Sequence, residues 1–205
     1  TGAVMDGARL EGASFWGARI DDVRWGHAVY DQETTWPQPF NPGRTSMIGP
    51  HLDPRFADLR GAHLQDITMV GWDLRGLRLS GGTWERVRVH QCQMDRAELR
   101  DLRWVNVEFY ANSARRARFH NVQITTSRLM NNDLSHTSFD GVHWREGVVG
   151  NNDLHYVTVT RSSLQRTFWD TTHQRGEPSF ETTSCASLTD QSGCPEGTLH
   201  QEPQP

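Results

Sequence analysis

Ala57-Asp58-Leu59-Arg60-Gly61, Ala62-His63-Leu64-Gln65-Asp66 opens a frame of five residues. It runs without insertion or deletion to Thr167-Phe168-Trp169-Asp170-Thr171, 23 units in all. The third residue of nearly every unit is large and apolar: Leu74, Leu79, Trp84, Leu99, Trp104, Phe109, Phe119, Ile124, Leu134, Phe139, Trp144, Leu154, Leu164. The first is usually small or β-branched. A fixed short period means a stacked, quasi-one-dimensional architecture. In an extended chain alternate side chains share a face. Residues one and three of each unit therefore point inward, two and four outward, and residue five has to absorb a turn.

A second period, of 20, sets the number of sides. Met130-Asn131-Asn132-Asp133-Leu134 returns 20 residues later as Gly150-Asn151-Asn152-Asp153-Leu154. Asn112, Asn132 and Asn152 then form an inward column expected to stack as a hydrogen-bonded ladder. Outward Asp58, Arg78, Glu98 and Arg118 alternate in sign at the same spacing, as do Arg88, Glu108 and Arg128, which suits neighbouring rungs. Four pentapeptides per coil makes all of these vertical neighbours. None of the nine Pro falls within 57–171, as expected where every inner rung pairs above and below and Pro cannot donate. The predicted core is the aromatic series Trp84, Trp104, Phe109, Phe119, Phe139 and Trp144 with the three Asn, filled and without a cavity.

The same frame fits residues 3–32, from Ala3-Val4-Met5 and Ala8-Arg9-Leu10 to Ala28-Val29-Tyr30, six more units for 29 in all. At four per coil that is about seven coils, a prism roughly 35 Å long at about 4.8 Å per rung. The organisation read from the sequence is N-terminal coils over 1–32, a Pro-rich loop insertion over 33–56, the main β-helix over 57–171, and a C-terminal cap with a polar, partly disordered tail over 172–205. Phe168 and Trp169 suit the start of that cap. Five of the nine Pro lie in the insertion or its edges, at 37, 39, 42, 50 and 54, consistent with a loop ejected from the wall.

These units resemble the pentapeptide-repeat family, whose members form right-handed quadrilateral β-helices. Tyr30-Asp31-Gln32-Glu33-Thr34-Thr35-Trp36-Pro37-Gln38-Pro39-Phe40-Asn41-Pro42 is similar to an aromatic-Pro and Phe-Asp-Pro loop often found in such proteins. The resemblance covers about 70% of the chain and implies an all-β, right-handed quadrilateral parallel β-helix, a solenoid. It also implies, as an alternative, a topoisomerase-binding role, as in quinolone-resistance-type members that resemble B-form DNA in size and charge. Those members depend on a strongly acidic surface and often on an apolar C-terminal dimerisation helix. This chain departs on both counts.

The departure is one of charge and composition. Hydrophobic residues make up 35% of the chain and mean hydropathy is −0.69, poor for a two-layer core but sufficient for a thin repeat core. All 21 basic residues are Arg. Net charge is +2 over 57–171, −2 before it and −4 after it, which leaves neither a basic footprint for nucleic acid nor a strongly acidic wall. Direct nucleic-acid binding is disfavoured. No apolar run approaches the roughly 18 residues of a membrane span. The chain begins at Thr1 without Met, which reads as a processed or trimmed N-terminus and leaves a cytoplasmic or exported location open. Cys92 occupies an inward position, while Cys185 and Cys194 fall in the polar tail and are able to close a disulfide in an oxidising compartment.

Three surfaces are candidates for function. The loop 33–56 carries exposed-looking Trp36, Phe40, Arg44, Met47 and Ile48, which either meet a partner or fold back over a coil edge. The outward column Val70, His90, Tyr110, Met130 is a partly apolar stripe among charged columns and marks a candidate partner surface, set against ordinary surface variation. Asp133, His136, Asp140, His143, Glu146, Asp153 and His155 include metal-ligand and acid–base residue types, but a flat wall spreads them over different sides. No phosphate-binding Gly loop, nucleophile elbow or clustered Cys/His motif occurs. The reading is a non-enzymatic scaffold or interaction module without cofactor or metal, whose partner is another protein, as a monomer or end-to-end dimer. The alternatives are the topoisomerase-binding DNA mimic and an exported effector or surface domain.

Overall fold

Residues 2–170, 175–176, 178–186 and 198–200 are described by a computed structural model. Cys194, with the rest of 187–197, and residues 171–174, 177 and 201–205 lie outside them. The wall is a parallel β-solenoid with four sides. One side carries β1 (His63–Gln65), β4 (Thr83–Glu85), β7 (Arg103–Val105), β10 (Gln123–Thr125), β13 (His143–Arg145), β16 (Ser163–Gln165), β19 (Ser184–Ala186) and β20 (Leu199–His200). The next carries β2 (Thr68–Val70), β5 (Arg88–His90), β8 (Glu108–Tyr110), β11 (Arg128–Met130), β14 (Val148–Gly150) and β17 (Phe168–Asp170). A third carries β3 (Arg78–Ser80), β6 (Glu98–Arg100), β9 (Arg118–His120), β12 (Ser138–Asp140), β15 (Thr158–Thr160) and β18 (Ser179–Glu181). The fourth side has only single bridges, Asp73↔Gln93↔Ser113↔Asp133↔Asp153. There the chain leaves each bridge through a tight turn, closed for example by Ala117 N–H donating to the Ala114 carbonyl at 3.1 Å.

Pairing is parallel with a 20-residue register, Trp84 on Trp104 and Phe119 on Phe139. Along 57–171 the fifth residues carry the turn in left-handed φ: Asp66 at 56°, Asn106 at 53°, Asn131 at 60°. Asn and Asp tolerate that region better than other residues with a Cβ.

Inward third residues stack through the prism. The rings of Trp84 and Trp104 lie 5.4 Å apart and nearly parallel, those of Phe119 and Phe139 4.7 Å apart. An interior void among Leu129, Phe139, Trp144 and Leu164 amounts to about 10 Å³, room for one water at most. Inward first residues serve backbone as well as packing. The Oδ1 of Asn132 accepts from the Asn112 backbone N–H and Nδ2, both at 3.0 Å, and that of Asn152 accepts likewise from Asn132. Ser127 and Ser162 do the same work with a hydroxyl, accepting from the Val107 and Val142 N–H groups at 3.0 Å.

Two boundaries differ from the sequence reading. The regular wall makes about six turns rather than about seven, because residues 3–32 do not extend its sheets. They form isolated bridges, Val4↔Arg24, Arg9↔Val29 and Ser14↔Thr35, around a second core of Leu10, Ile20, Trp25, Ala28, Tyr30 and Met47. Burial pushes the Tyr30 phenol up to about 12, and the His51 N–H donating to its oxygen counters this only in part. At the other end the coil continues past Thr171. Val159 pairs with Phe180 and Leu164 with Cys185, an offset of 21 that admits one extra residue. Cys185 is buried and disulfide-bonded, whereas Cys92 is a free, buried thiol.

Candidate interaction surface

The side built from β2, β5, β8, β11, β14 and β17 differs in chemistry from the others. Strand alternation sends two columns outward there. Register places Val70, His90, Tyr110, Met130 and Gly150 in one of them. Thr68, Arg88, Glu108, Arg128, Val148 and Phe168 form the other. Val70 is 51% exposed, Tyr110 43% and Phe168 57%, while Met130 and Val148 are half-buried. On the remaining strand sides within 57–171, Val105 is the one large apolar residue at an outward strand position. The stripe is therefore wider than the Val70–Met130 column alone. Val148 and Phe168 belong to it, and they were readable as outward second residues of their units.

Its polar members are held in place. The His90 ring lies 5.8 Å from that of Tyr110. His90 Nε2 sits 3.5 Å from Glu108 Oε1, shielded from solvent and without a hydrogen bond among the described residues. Glu108 also faces Arg88 at 4.0 Å. Gly150 has no side chain, so the face flattens beside Val148, and the column runs on to Asp170 on the next rung.

The loop residues have other work. Trp36 stacks on Phe15 at 5.0 Å and meets Trp25 and Tyr30 edge-on, and Phe40 packs against Trp25 and Trp36. Both fold back over the N-terminal core. Met47 and Ile48 are fully buried, and Ile48 pairs with Val29, so the chain rejoins the coil inside the segment read as a loop. The exposed-looking reading of Met47 and Ile48 is corrected accordingly: both are inward residues in a stretch whose frame is broken by Pro42 and Pro50. Arg44 stays exposed, its guanidinium 5.7 Å from the centre of the Phe56 ring.

The His and carboxylate set around 133–155 is dispersed over the wall. Asp140 accepts from Arg161, from the Thr160 hydroxyl at 2.8 Å and faces His120 Nδ1 at 3.0 Å; these partners, Arg161 foremost, hold its carboxyl below the usual range. His155 meets Asp153 at 2.6 Å, His143 meets Ser163 at 2.9 Å, and His136 stacks on Tyr156 at 4.7 Å. Among the described residues no group of three or more His, Cys, Asp or Glu is placed to hold a metal ion. No helix is long and apolar enough to cross a membrane.

Five-residue units, a 20-residue register and four sides define the class: a pentapeptide-repeat β-solenoid. Solved structures of this class show the likeness at low identity. HetL, a pentapeptide repeat protein involved in heterocyst differentiation regulation from the cyanobacterium Nostoc, is 12% identical, with 95% of this chain and 92% of that one covered and a TM-score of 0.37. QnrB1, a plasmid-mediated fluoroquinolone resistance protein, is 12% identical, with 68% and 94% covered and a TM-score of 0.36. Rfr23 from the cyanobacterium Cyanothece is 7% identical, with 69% and 90% covered and a TM-score of 0.35. No family model and no curated protein matches the chain. The superpositions are loose, and the assignment of class rests on this chain's own repeat and register.

Proposed function

We propose that the protein is a non-enzymatic interaction or scaffold module, a rigid β-helix that presents its flat faces to another protein, with the side centred on Tyr110 as the contact. The observation that carries this reading is the segregation of outward apolar residues. Val70, Tyr110, Met130, Val148 and Phe168 share one strand side, whereas Val105 is the one large apolar residue at an outward strand position of the other strand sides within 57–171; exposed Trp16, Phe56 and Tyr156 stand apart on turns and the N-terminal segments. Contiguous exposed apolar surface on a soluble protein marks an interaction site, and aromatic side chains with Met are enriched at such contacts. The filled interior and outward-spread polar groups support a surface role over a catalytic one. The near-neutral wall, +2 over 57–171, favours an ordinary protein contact over imitation of DNA.

The test is affinity capture with quantitative comparison of two double variants. Tyr110→Asp with Met130→Asp places charge on the apolar side, and Thr125→Asp with Gln165→Asp places the same charge on another. A partner retained by the wild type and the second variant, and lost from the first, is the expected result. Identical profiles for all three proteins would sink the assignment of this face.

A further inference from the structure

The side that lacks strands carries a notch of about 510 Å³ lined by Arg75, Gly76, Asp95, Arg96, Arg115 and Arg116. Arg96 and Arg116 are fifth residues of successive coils, in left-handed φ of 62° and 58° at the same corner. They are vertical neighbours, one rung or about 4.8 Å apart. Within 57–171 no other two arginines are separated by 20 residues. Elsewhere an arginine stands over an acid or a neutral residue, as in Asp66/Arg86, Glu98/Arg118 and Glu146/Arg166. Stacked like charges on adjacent strands are destabilising, and among the described residues no ion pair offsets this one.

The carboxylates nearby are already engaged. Asp95, the one carboxylate lining the notch, accepts at Oδ1 from the Ser113 hydroxyl at 2.6 Å and the Arg115 N–H at 3.0 Å. Arg75 is held by Asp73 at 2.6 Å, and Arg115 leans towards Asp133 at 3.7 Å. The guanidiniums of Arg96 and Arg116 have no hydrogen bond or ion pair among the described residues. One coil away from Arg96 the same corner is Gly76, where even a Cβ would meet nothing within 4 Å, so the notch is open on that side.

We propose that this notch binds a phosphate-class oxyanion, clamped between Arg96 and Arg116 with Arg75 and Arg115 as a flanking positive field. Each guanidinium is a planar fork of donors matched to oxyanions. Two forks on neighbouring rungs approach an anion from different directions. A tetrahedral phosphate offers oxygens to both at once, whereas a carboxylate presents its two in a single plane. Bound phosphate also removes the repulsion that the bare pair imposes on the coil.

Inorganic pyrophosphate, titrated calorimetrically at an ionic strength fixed with sodium chloride, is the probe. Three proteins are compared: wild type, Arg96→Gln/Arg116→Gln, and Arg100→Gln/Arg103→Gln, which removes two exposed arginines outside the notch. Saturable binding to the wild type is expected, weakened at least about tenfold in the notch variant, in keeping with loss of charge-assisted bonds, and unchanged in the control. Melts run alongside keep the result independent of folding. Without anion the notch variant melts no lower than wild type, and with pyrophosphate only wild type and control rise. Non-saturable heats, undiminished affinity in the notch variant, or equal losses in both variants would overturn the site.

Discussion

Asn132 is bonded on both sides of its rung: its Oδ1 serves the Asn112 N–H, and its Nδ2 donates to the Phe109 carbonyl at 3.2 Å and to Asn152 Oδ1 at 3.0 Å. Leucine at this position would fit the apolar surroundings and still leave the Asn112 N–H buried without a partner, and it would remove the side-chain donors to the Phe109 carbonyl and Asn152 Oδ1. An orphaned buried group costs about 1–3 kcal/mol and each lost bond about 1 kcal/mol. Asn132→Leu is therefore expected to destabilise by roughly 2–4 kcal/mol in urea unfolding, while exposed Gln123→Ala stays within about 0.5 kcal/mol. The glycines separate two kinds of strain in the same way. At Gly82, with φ of 101°, a Cβ would stand 2.2 Å from the Ala62 carbonyl oxygen on the rung beside it. At Gly141, with φ of 65°, the nearest atom is the Asn121 nitrogen at 3.7 Å. Gly141→Ala should cost only the left-handed penalty of roughly 1–2 kcal/mol, and Gly82→Ala distinctly more, because backbone has to move. Equal midpoints for the two variants in denaturant would contradict this. The Asn column is legible in the sequence because only its period is needed. The demand at Gly82 is not, since it arises from the approach of another coil.

At the scale of the element, outward charges pair along the unit as well as across rungs. Asp58 with Arg60, Asp73 with Arg75 and Asp53 with Arg55 each close a pair two residues apart at 2.6 Å, because second and fourth residues of a unit share a face. The column read as Asp58, Arg78, Glu98, Arg118 is accordingly cut at its first step. Arg78 and Arg118 flank Glu98 at 3.9 and 3.5 Å, and Asp58 turns to Arg60. Hydrogen bonds from Arg60 hold the Asp58 carboxyl down from 3.8 to about 2. A depressed carboxylate stabilises the fold above its unfolded pKa and loses that contribution as pH falls through the folded one, here from 3.8 towards about 2. Melting temperature is thus expected to be flat above pH 5 and to fall below 4. Asp58→Asn should flatten that fall slightly, as an exposed pair contributes little. A variant with the neutral-pH midpoint and the acid slope of the wild type would show that the pair does not matter. The strands at the far end were hidden for a related reason. One inserted residue shifts the offset from 20 to 21, and the inward residues there include Thr183 and Cys185, which no apolar pattern reveals.

Across the whole molecule, 29 units of one frame read as one rod, yet the packing has two cores. Units over 3–32 begin mostly with Ala and turn at each corner through bonds such as Ala13 N–H to the Leu10 carbonyl at 2.9 Å. They fill barely a coil and a half, so most of their rungs find a partner on one side only. The insertion supplies what is missing: Trp36 and Phe40 close the Phe15, Trp25 and Tyr30 cluster. Links from this unit to the wall include Val29 packed against the wall's core and the contacts of Arg9 with the Gln65 carbonyl at 3.3 Å and of His27 with that of Asp58 at 2.9 Å. In a solenoid, stability is approximately a sum of unit and nearest-neighbour terms, and a weakly coupled end opens first. Hydrogen exchange resolved by peptide should show 3–48 exchanging well before 62–165. Trp36→Ala removes an aromatic from the smaller core, a loss of about 3–5 kcal/mol where such a ring is fully buried and less at this half-buried site. It should speed exchange throughout 3–48 and leave the wall untouched. If both regions accelerate together, the two cores are one cooperative unit and the rod is as uniform as its repeat.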